Sequence, residues 1–440
     1  MAVEFILKTE QHCHDAKANF DEQFITNATM NLIKMCLMYI SCHSKVIFLC
    51  VVLILFLFII YKSYWSPVFY RRELSETGFQ HLPKKDRSLH MIRAQSNRKF
   101  GSKLPPPYPN GWFSLVESRD LDVGAVVPID ALGLNLCVYR GEDGKARIVD
   151  AYCPHLGANL GIGGTVCGNC IECPFHQWRF GDNGACVSIP GMESVPKGIS
   201  IKTYHAMEVD GSVWIWYHVD GEPPLWTVEE SEELKNWGYR GRNEFLVNAH
   251  IQEIPENGAD VAHLNAVHTV SMFSDLGQKY PFLNHLIGHH TWGAEWKKGD
   301  EHHVANIQIS QRYLILNVDV FPLKVTVNQI GPAHVRLSFM SPLGPMMVLQ
   351  SVTPLGPLLQ RVVHRVYSPR YNAPLGAALV LLEAKQFERD VAIWNNKRYV
   401  SSPAYAKSDK TIRTFRSWFS QFYSENSISV RDAMQNPLDW

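Results

Sequence analysis

The stretch CPHLGANLGIGGTVCGNCIECPFH, residues 153–176, puts four cysteines and two histidines within twenty-four positions. Thiolates and imidazoles at that density point to a metal site. Six candidate ligands compete for four positions. Cys167-x2-Cys170 with other neighbours would give a zinc knuckle. Cys153-x-His155 paired with Cys173-x2-His176 instead makes two loops, each offering one thiolate and one imidazole. A Cys-x-His pair is too tight for the usual zinc finger. It suits a [2Fe-2S] cluster with two cysteines on one iron and two histidines on the other, which moves electrons at a higher potential than an all-cysteine ferredoxin. On that choice Cys167 and Cys170 are ordinary loop or core thiols.

A second group lies in ENGADVAHLNAVH, residues 256–268, which holds Glu256, Asp260, His263 and His268. Asp260 and His263 are three apart and share a helix face. His263 and His268 are five apart and do not, so the helix must break or bulge there if both bind one metal. Glu256, one turn earlier, either supports Asp260 or faces solvent.

These residues need two kinds of scaffold. From Gly111 to about Gly221 the pattern is short strands and tight turns: NLCVYRGEDGKARIVDAYC as two strands around a Gly-rich turn, SVWIWYHV as a strand, Asn183-Gly184 and Asp210-Gly211 as hairpin dipeptides. This predicts an all-β domain around the Cys/His stretch. From Glu222 onward, HVANIQISQRYLILNVDVF, LKVTVNQI and HVRLSFM alternate like antiparallel strands. PLGAALVLLEAKQFERDVAIWNNKRY starts at Pro374 and continues as a long helix. The expected class is α+β, with an antiparallel sheet packed on helices in the second domain. PLGPMMVLQSVTPLGPLL, residues 342–359, is apolar and Pro-broken; it reads as core or loop, as a pocket wall, or as a segment dipping into a membrane.

The chain has 440 residues, enough for two domains and more. With 42 basic and 42 acidic residues the formal net charge is zero, which excludes nucleic acid as the main partner. Five of the ten cysteines fall between Cys153 and Cys186, a metal-site distribution rather than a disulfide scaffold. VIFLCVVLILFLFIIY, Val46 to Tyr61, carries no charge. Lys45 and Lys62 can snorkel from its ends, and Tyr61, Tyr64 and Trp65 suit an interface. It lies too far from Met1 for a signal-peptide core. The expectation is a transmembrane anchor over 46–65. Four Lys and five acidic residues precede the span, whereas ten Lys/Arg and three acidic residues occupy 62–103. The positive-inside rule then places the C-terminal part in the cytosol and a lead, 1–45, in the lumen, where Asn27 could be glycosylated. The remaining divisions are a basic, Pro-rich linker over 66–110 lying against membrane lipid, an iron–sulfur domain over 111–221 and a catalytic domain over 222–440.

CPHLGANLG followed by CIECPFHQWRFGDNGAC resembles the Rieske [2Fe-2S] motif of the Rieske non-haem iron oxygenases, over about Trp112 to Tyr399. Asn159 stands where many relatives carry His, but not at a ligand position. The resemblance implies cluster ligation by Cys153, His155, Cys173 and His176. Asp260-x2-His263-x4-His268 matches the family's mononuclear iron motif. Matching by position implies Asp390, in a D-x2-I-W pattern, as the carboxylate of a 2-His-1-carboxylate Fe(II) site, with Glu383 and Glu388 as alternatives. It implies that Asp260 is not an iron ligand but bridges an iron histidine to a Rieske histidine, His176 by match, across a subunit interface of a homotrimer. The anchor, the basic linker, NGWF and IWNNKRY make the chain similar to the Neverland-type cholesterol 7-desaturases, and also to bacterial ketosteroid hydroxylases. The implied reaction converts cholesterol to 7-dehydrocholesterol, an early step towards ecdysteroid-type hormones, with O2 and with NAD(P)H electrons delivered by a separate reductase or ferredoxin. The implied location is the endoplasmic reticulum membrane.

Overall fold

The chain forms two bodies, seen in a computed structural model that describes residues 29–35, 38, 44–62, 64–85, 87–96, 104–271 and 276–435. Asn27, most of the expected lead, 97–103 of the expected linker and the last five residues lie outside these.

The first body runs to Trp65. Its main element is helix α1 (Ser44–Lys62), 19 residues that are continuously apolar from Val46 to Ile60, with none of its surface buried. At 1.5 Å per residue it is about 28 Å long, close to the thickness of a bilayer's hydrocarbon core. The Tyr61 and Trp65 rings stack at its C-terminal end, 4.8 Å apart. One such helix is compatible with a single membrane anchor.

The second body, from Ser66, is α+β. It starts with β1 (Val68–Arg72), inside the stretch expected to be a linker. A β-rich part follows: β2 (Gly111–Glu117), β3 (Val126–Ala131), β4 (Leu134–Arg140), β5 (Ala146–Asp150), β6 (Thr165–Cys167), β7 (Cys170–Glu172), β8 (Arg179–Phe180), β9 (Cys186–Ser188), β10 (Thr203–Tyr204), β11 (Ala206–Val209) and β12 (Ser212–Tyr217). They form sheets of order β10-β5-β4-β3, β11-β12-β2 and β6-β7-β8-β9. Asp210 and Gly211 join β11 to β12 with φ of 52° and 69°, the left-handed pair that a two-residue hairpin needs.

The larger sheet holds β13 (Gly238–Val247), β14 (His289–Lys298), β15 (Val304–Ile315), β16 (Val318–Ile330), β17 (His334–Ser341), β18 (Gly344–Gly356) and β19 (Leu359–Ser368), in the order β1-β13-β19-β18-β17-β16-β15-β14. Every pair is antiparallel except β1 on β13, which is parallel. The linker expectation missed β1 because Arg71 and Arg72 make it look solvated; they pair with Glu73 and Glu388. Residues 342–359, left open between loop, pocket wall and membrane segment, are mostly β18, inside the sheet. Three helices matter for the site: α2 (Val261–Val267), α3 (Ala373–Trp394) and α4 (Lys410–Phe419).

Helix α3 buries Ala377, Val380, Ala384, Phe387, Val391 and Trp394, a stripe spaced alternately three and four. It lies along β13, β19 and β1. Phe387 and Val391 share one apolar core with Phe245 and Val362 of the large sheet and with Phe113, Leu136 and Ile215 of the β-rich part. Each such fully buried side chain contributes about 1.5–3 kcal/mol. The core therefore ties the two functional parts together and fixes α3 on the sheet.

Candidate active site

The two Cys/His loops are built alike. Main-chain N–H of Gly157 donates to the Cys153 carbonyl at 2.9 Å, and that of Gln177 to the Cys173 carbonyl at 3.0 Å. The Cys153 N–H donates to Ala158 O (2.9 Å) and the Cys173 N–H to Trp178 O (2.8 Å). The fourth residue after each cysteine start is left-handed: Gly157 at φ 74° and Gln177 at 58°. A non-glycine residue there costs about 1 kcal/mol, which marks the second loop's shape as enforced by its surroundings. Both cysteines are buried, at 2% and 1% exposure, whereas His155 lies at the surface and His176 is half-buried. The His155 and His176 rings are 4.6 Å apart, and Trp178 stacks on His155 at 4.3 Å. Burial raises the Cys153 thiol above its usual range. Cys153 and Cys173 are free, buried thiols and His155 and His176 lie nearer the surface; two thiols and two imidazoles are the residue types that could hold a Rieske cluster. Cys167 and Cys170 sit opposite each other at the end of the β6–β7 hairpin.

The second group converges more tightly. Single donor atoms of His263, His268 and Asp390 all lie within 4.8 Å of one another. Helix α2 ends where the five-residue spacing requires: His268 is its C-cap, at φ −103° and ψ 12°, and so leaves the helical path. Asn265 ties α2 to β14 by two hydrogen bonds with the Trp292 main chain (2.8 and 3.0 Å), and the Trp292 indole donates to His268 O at 3.0 Å. From behind, Thr411 of α4 donates to Ala259 O (2.7 Å), and Arg416 grips Glu256 through two bonds of 2.6 and 2.9 Å. Glu256 is thus a buried ion-pair partner, not an exposed acid.

Hydrogen bonds decide which nitrogen each imidazole presents. His263 Nδ1 contacts the Asp260 carbonyl, which can only accept, so Nδ1 carries the proton. His268 Nδ1 lies 3.0 Å from Gln386 Oε1. Arg389, a pure donor, also bonds that atom at 2.9 Å, which fixes it as oxygen; His268 Nδ1 therefore donates as well. Arg389 is held in turn by the Val270 and Ser271 carbonyls at 2.9 and 3.1 Å. In the neutral ring of either histidine the lone pair is then on Nε2. His268 Nε2 faces Asp390 Oδ2 at 3.2 Å. A lone pair facing a carboxylate is stable only across a shared proton or a cation. Two imidazole nitrogens and one carboxylate are a donor set that could hold a mononuclear iron(II).

Within one chain the Asp260 carboxylate has a local role. Asp260 is the N-cap of α2, its carboxylate accepting the His263 main-chain N–H at 3.2 Å, as Asp prefers at that position. Its carbonyl, not its carboxylate, orients the His263 ring. The alternative carboxylates lie outside the donor cluster. Glu388 accepts from Tyr70 (2.5 Å) and Arg72 (2.7 Å) of β1, and Glu383 accepts from Asn243 of β13. The Gln386–Arg389 pair was not foreseen. Its signal is present in retrospect: Glu383, Gln386 and Asp390, spaced three and four, form a polar row beside the apolar stripe of α3.

That row lines a cavity shared with all three clustered residues. The opposite wall comes from alternate residues of the sheet, among them Ile307, Ile309, Leu323, Val325, Val335, Leu337 and Phe339. Burial pushes the Glu383 carboxyl up to about 8, with the nearby Asp390 charge adding to it and the Asn243 bond opposing. Burial lowers His364, on β19 in the same wall, to about 3.

Residues 111–205 match the model of the Rieske [2Fe-2S] domain, and 215–423 that of the 3-ketosteroid 9alpha-hydroxylase C-terminal domain. The chain belongs to the Rieske oxygenase family. Among its relatives it is 63% identical over 385 residues to the cholesterol 7-desaturase of Bombyx mori, covering 87% of this chain and 85% of that one. It is 43% identical to the enzyme of the same name in Xenopus laevis, covering 85% and 84%. Dicamba monooxygenase bound to dicamba has the same fold, with a TM-score of 0.55 at 15% identity, over 72% of this chain and 98% of that one.

Proposed function

We propose that the protein is a membrane-anchored cholesterol 7-desaturase, forming 7-dehydrocholesterol with O2 and electrons from NAD(P)H. The observation that carries this is the convergence of His263, His268 and Asp390 on an apolar cavity, in a chain that also has a Rieske domain. The sterol itself comes from the named activity of the Bombyx and Xenopus relatives. The hydrocarbon walls suit a flat, nearly all-carbon ligand.

His263, His268 and Asp390 would hold the iron(II), and Cys153, His155, Cys173 and His176 the [2Fe-2S] cluster; when bound, they supply an O2-binding centre and its one-electron relay. The Asp260 carbonyl and Gln386 keep the imidazole protons on Nδ1, so both Nε2 atoms stay available. The aliphatic sheet wall excludes water and presses the ring system towards α3, which decides the C–H bonds that face the donors. Asp260 is the residue through which His176 of a neighbouring copy, in a homotrimer, would connect with His263. O2 becomes two waters with four electrons: two from the C7–H and C8–H bonds of the sterol, two from NAD(P)H through a reductase. Helix α1 would anchor the chain in the endoplasmic reticulum, with the basic flank after it keeping the catalytic part cytosolic.

The match of 215–423 to a hydroxylase domain favours sterol hydroxylation as the second reading. Incubation of the full chain with cholesterol, NADPH and a reductase, followed by mass spectrometry, separates them: a diene supports desaturation and an alcohol supports hydroxylation. Two iron atoms per chain instead of three, with neither product, would leave only an electron carrier.

A further inference from the structure

The cavity wall carries a polar cluster outside the donor group. Glu383 lies seven residues before Asp390 on α3, two turns away on the same side, about 10 Å along the axis. Both line the same cavity, as does His364. His364 pairs across β19 and β13 with Asn243. Behind the wall, Asn243 organises the other two. Its Nδ2 donates to the Val380 carbonyl at 3.0 Å and to Glu383 Oε2. Val380 O can only accept, so the orientation of the Asn243 amide is settled. Its Oδ1 then faces His364 Nδ1 at 2.7 Å, and that nitrogen must carry the ring proton.

The consequence is a matched pair of open positions. Burial keeps His364 neutral, so Nε2 holds a lone pair. Burial also keeps Glu383 protonated at neutral pH. Its Oε2 already accepts from Asn243, so the acid proton belongs on Oε1. Among the described residues, neither Glu383 Oε1 nor His364 Nε2 has a hydrogen-bond partner. Their side chains are 19% and 2% exposed, and what is exposed borders the cavity. One donor and one acceptor therefore stand side by side in an otherwise mostly hydrocarbon wall.

We propose that Glu383 and His364 form a hydroxyl-binding subsite that holds the 3β-hydroxyl of the sterol, accepting its proton at His364 Nε2 and donating to its oxygen from Glu383 Oε1. This rests on the sterol reading of the cavity. An alcohol is the group that is donor and acceptor at one atom. A 3-oxo steroid only accepts and would leave the imidazole nitrogen unpaired; a hydrocarbon would leave both unpaired. The two-turn separation lays ring A at Glu383 and ring B towards Asp390. Glu383 and His364 are thus specificity-determining residues: they select a 3-hydroxysterol and set which ring carbon reaches the donor cluster.

The test is equilibrium binding of labelled sterols to the detergent-solubilised full chain with its metal centres loaded. Wild type should bind cholesterol about 10- to 100-fold more tightly than 5-cholestene, which lacks the hydroxyl, with 4-cholesten-3-one in between. Glu383→Leu and His364→Phe should each lose most of that preference, binding cholesterol more weakly and 5-cholestene no more weakly than wild type does. Glu383→Gln keeps a donor at the same place and should retain it. The Rieske absorbance of each variant reports that it is folded. If Glu383→Leu does not fold, the wild-type comparison decides alone. Equal wild-type affinity for cholesterol and 5-cholestene, or an intact preference in folded Glu383→Leu, overturns the subsite and leaves the sterol reading standing. No binding of any sterol by wild type overturns the sterol reading and the subsite with it.

Discussion

Replacing Gln386 by Leu removes the amide oxygen and nitrogen with little change in volume, and it should unload the mononuclear site. Gln386 Oε1 accepts a hydrogen bond from His268 Nδ1–H at 3.0 Å and another from Arg389 at 2.9 Å. His268 is 6% exposed, so water cannot substitute freely. In the variant the imidazole has two choices. It keeps the proton on Nδ1, buried and unsatisfied, at a cost of about 1–3 kcal/mol. Or it moves the proton to Nε2, which then faces Asp390 as a hydrogen-bond donor and is lost as a ligand. At about 1.4 kcal/mol per tenfold, the first route weakens iron binding by about 5- to 150-fold, in line with the 10- to 100-fold that such supporting residues usually carry. The assay strips the mononuclear iron with a mild chelator, re-adds Fe(II), and normalises to the Rieske absorbance of the same sample. The wild type should return to three irons per cluster-bearing chain at a concentration where the variant stays near two. Gln386→Glu keeps an acceptor and should rebind like wild type. Equal Fe(II) affinity of wild type and Gln386→Leu, with cluster content unchanged, would refute the tautomer argument.

Cys153→Ser or His176→Ala should abolish the Rieske absorbance, whereas Cys167→Ser and Cys170→Ser should preserve it; the reverse pattern would reinstate the knuckle. Arg416→Met should destabilise by about 3 kcal/mol, because it strands the Glu256 carboxylate, whose side chain is only 12% exposed; adding Glu256→Gln should restore most of the thermal midpoint. Stability should fall on both sides of mid-range pH. His364, lowered to about 3 from 6.5, lets the unfolded chain bind the extra proton below pH 6.5. Glu383, raised to about 8 from 4.5, lets the folded chain hold the extra proton, so stability declines as pH rises from 4.5 to 8. Glu383→Gln should flatten the alkaline limb in denaturant titrations, and an unchanged limb would remove Glu383 as its source.

What could be read in advance follows from distance along the chain. The Cys153 and Cys173 loops are local, and their spacing alone offered two ligand sets. The break at His268 also follows from spacing, since residues five apart cannot share a helix face. Strand alternation in β15 and β16 revealed an antiparallel sheet, and the start of α3 was marked by Pro374. Position 390 was reached only through the family pattern, because the sequence cannot show that α3 folds back onto α2. The support network was illegible for the same reason. Arg389 bonds carbonyls of residues 270 and 271, and Asn243 joins three elements far apart in sequence. Strand β1 was hidden because its arginines mimic a solvated linker, and their acidic partners become visible only on folding.

The two imidazoles differ in how far mutation can reach them. His268 owes its orientation to a side chain, which a single base change can take away. His263 owes its own to the carbonyl of residue 260, and every amino acid brings a carbonyl. No substitution at position 260 deletes that acceptor; only a change in the path of the backbone can. The ring is therefore genetically insulated: losing the Asp260 carboxylate would take away the cap of α2, while the acceptor that sets the imidazole's face would remain.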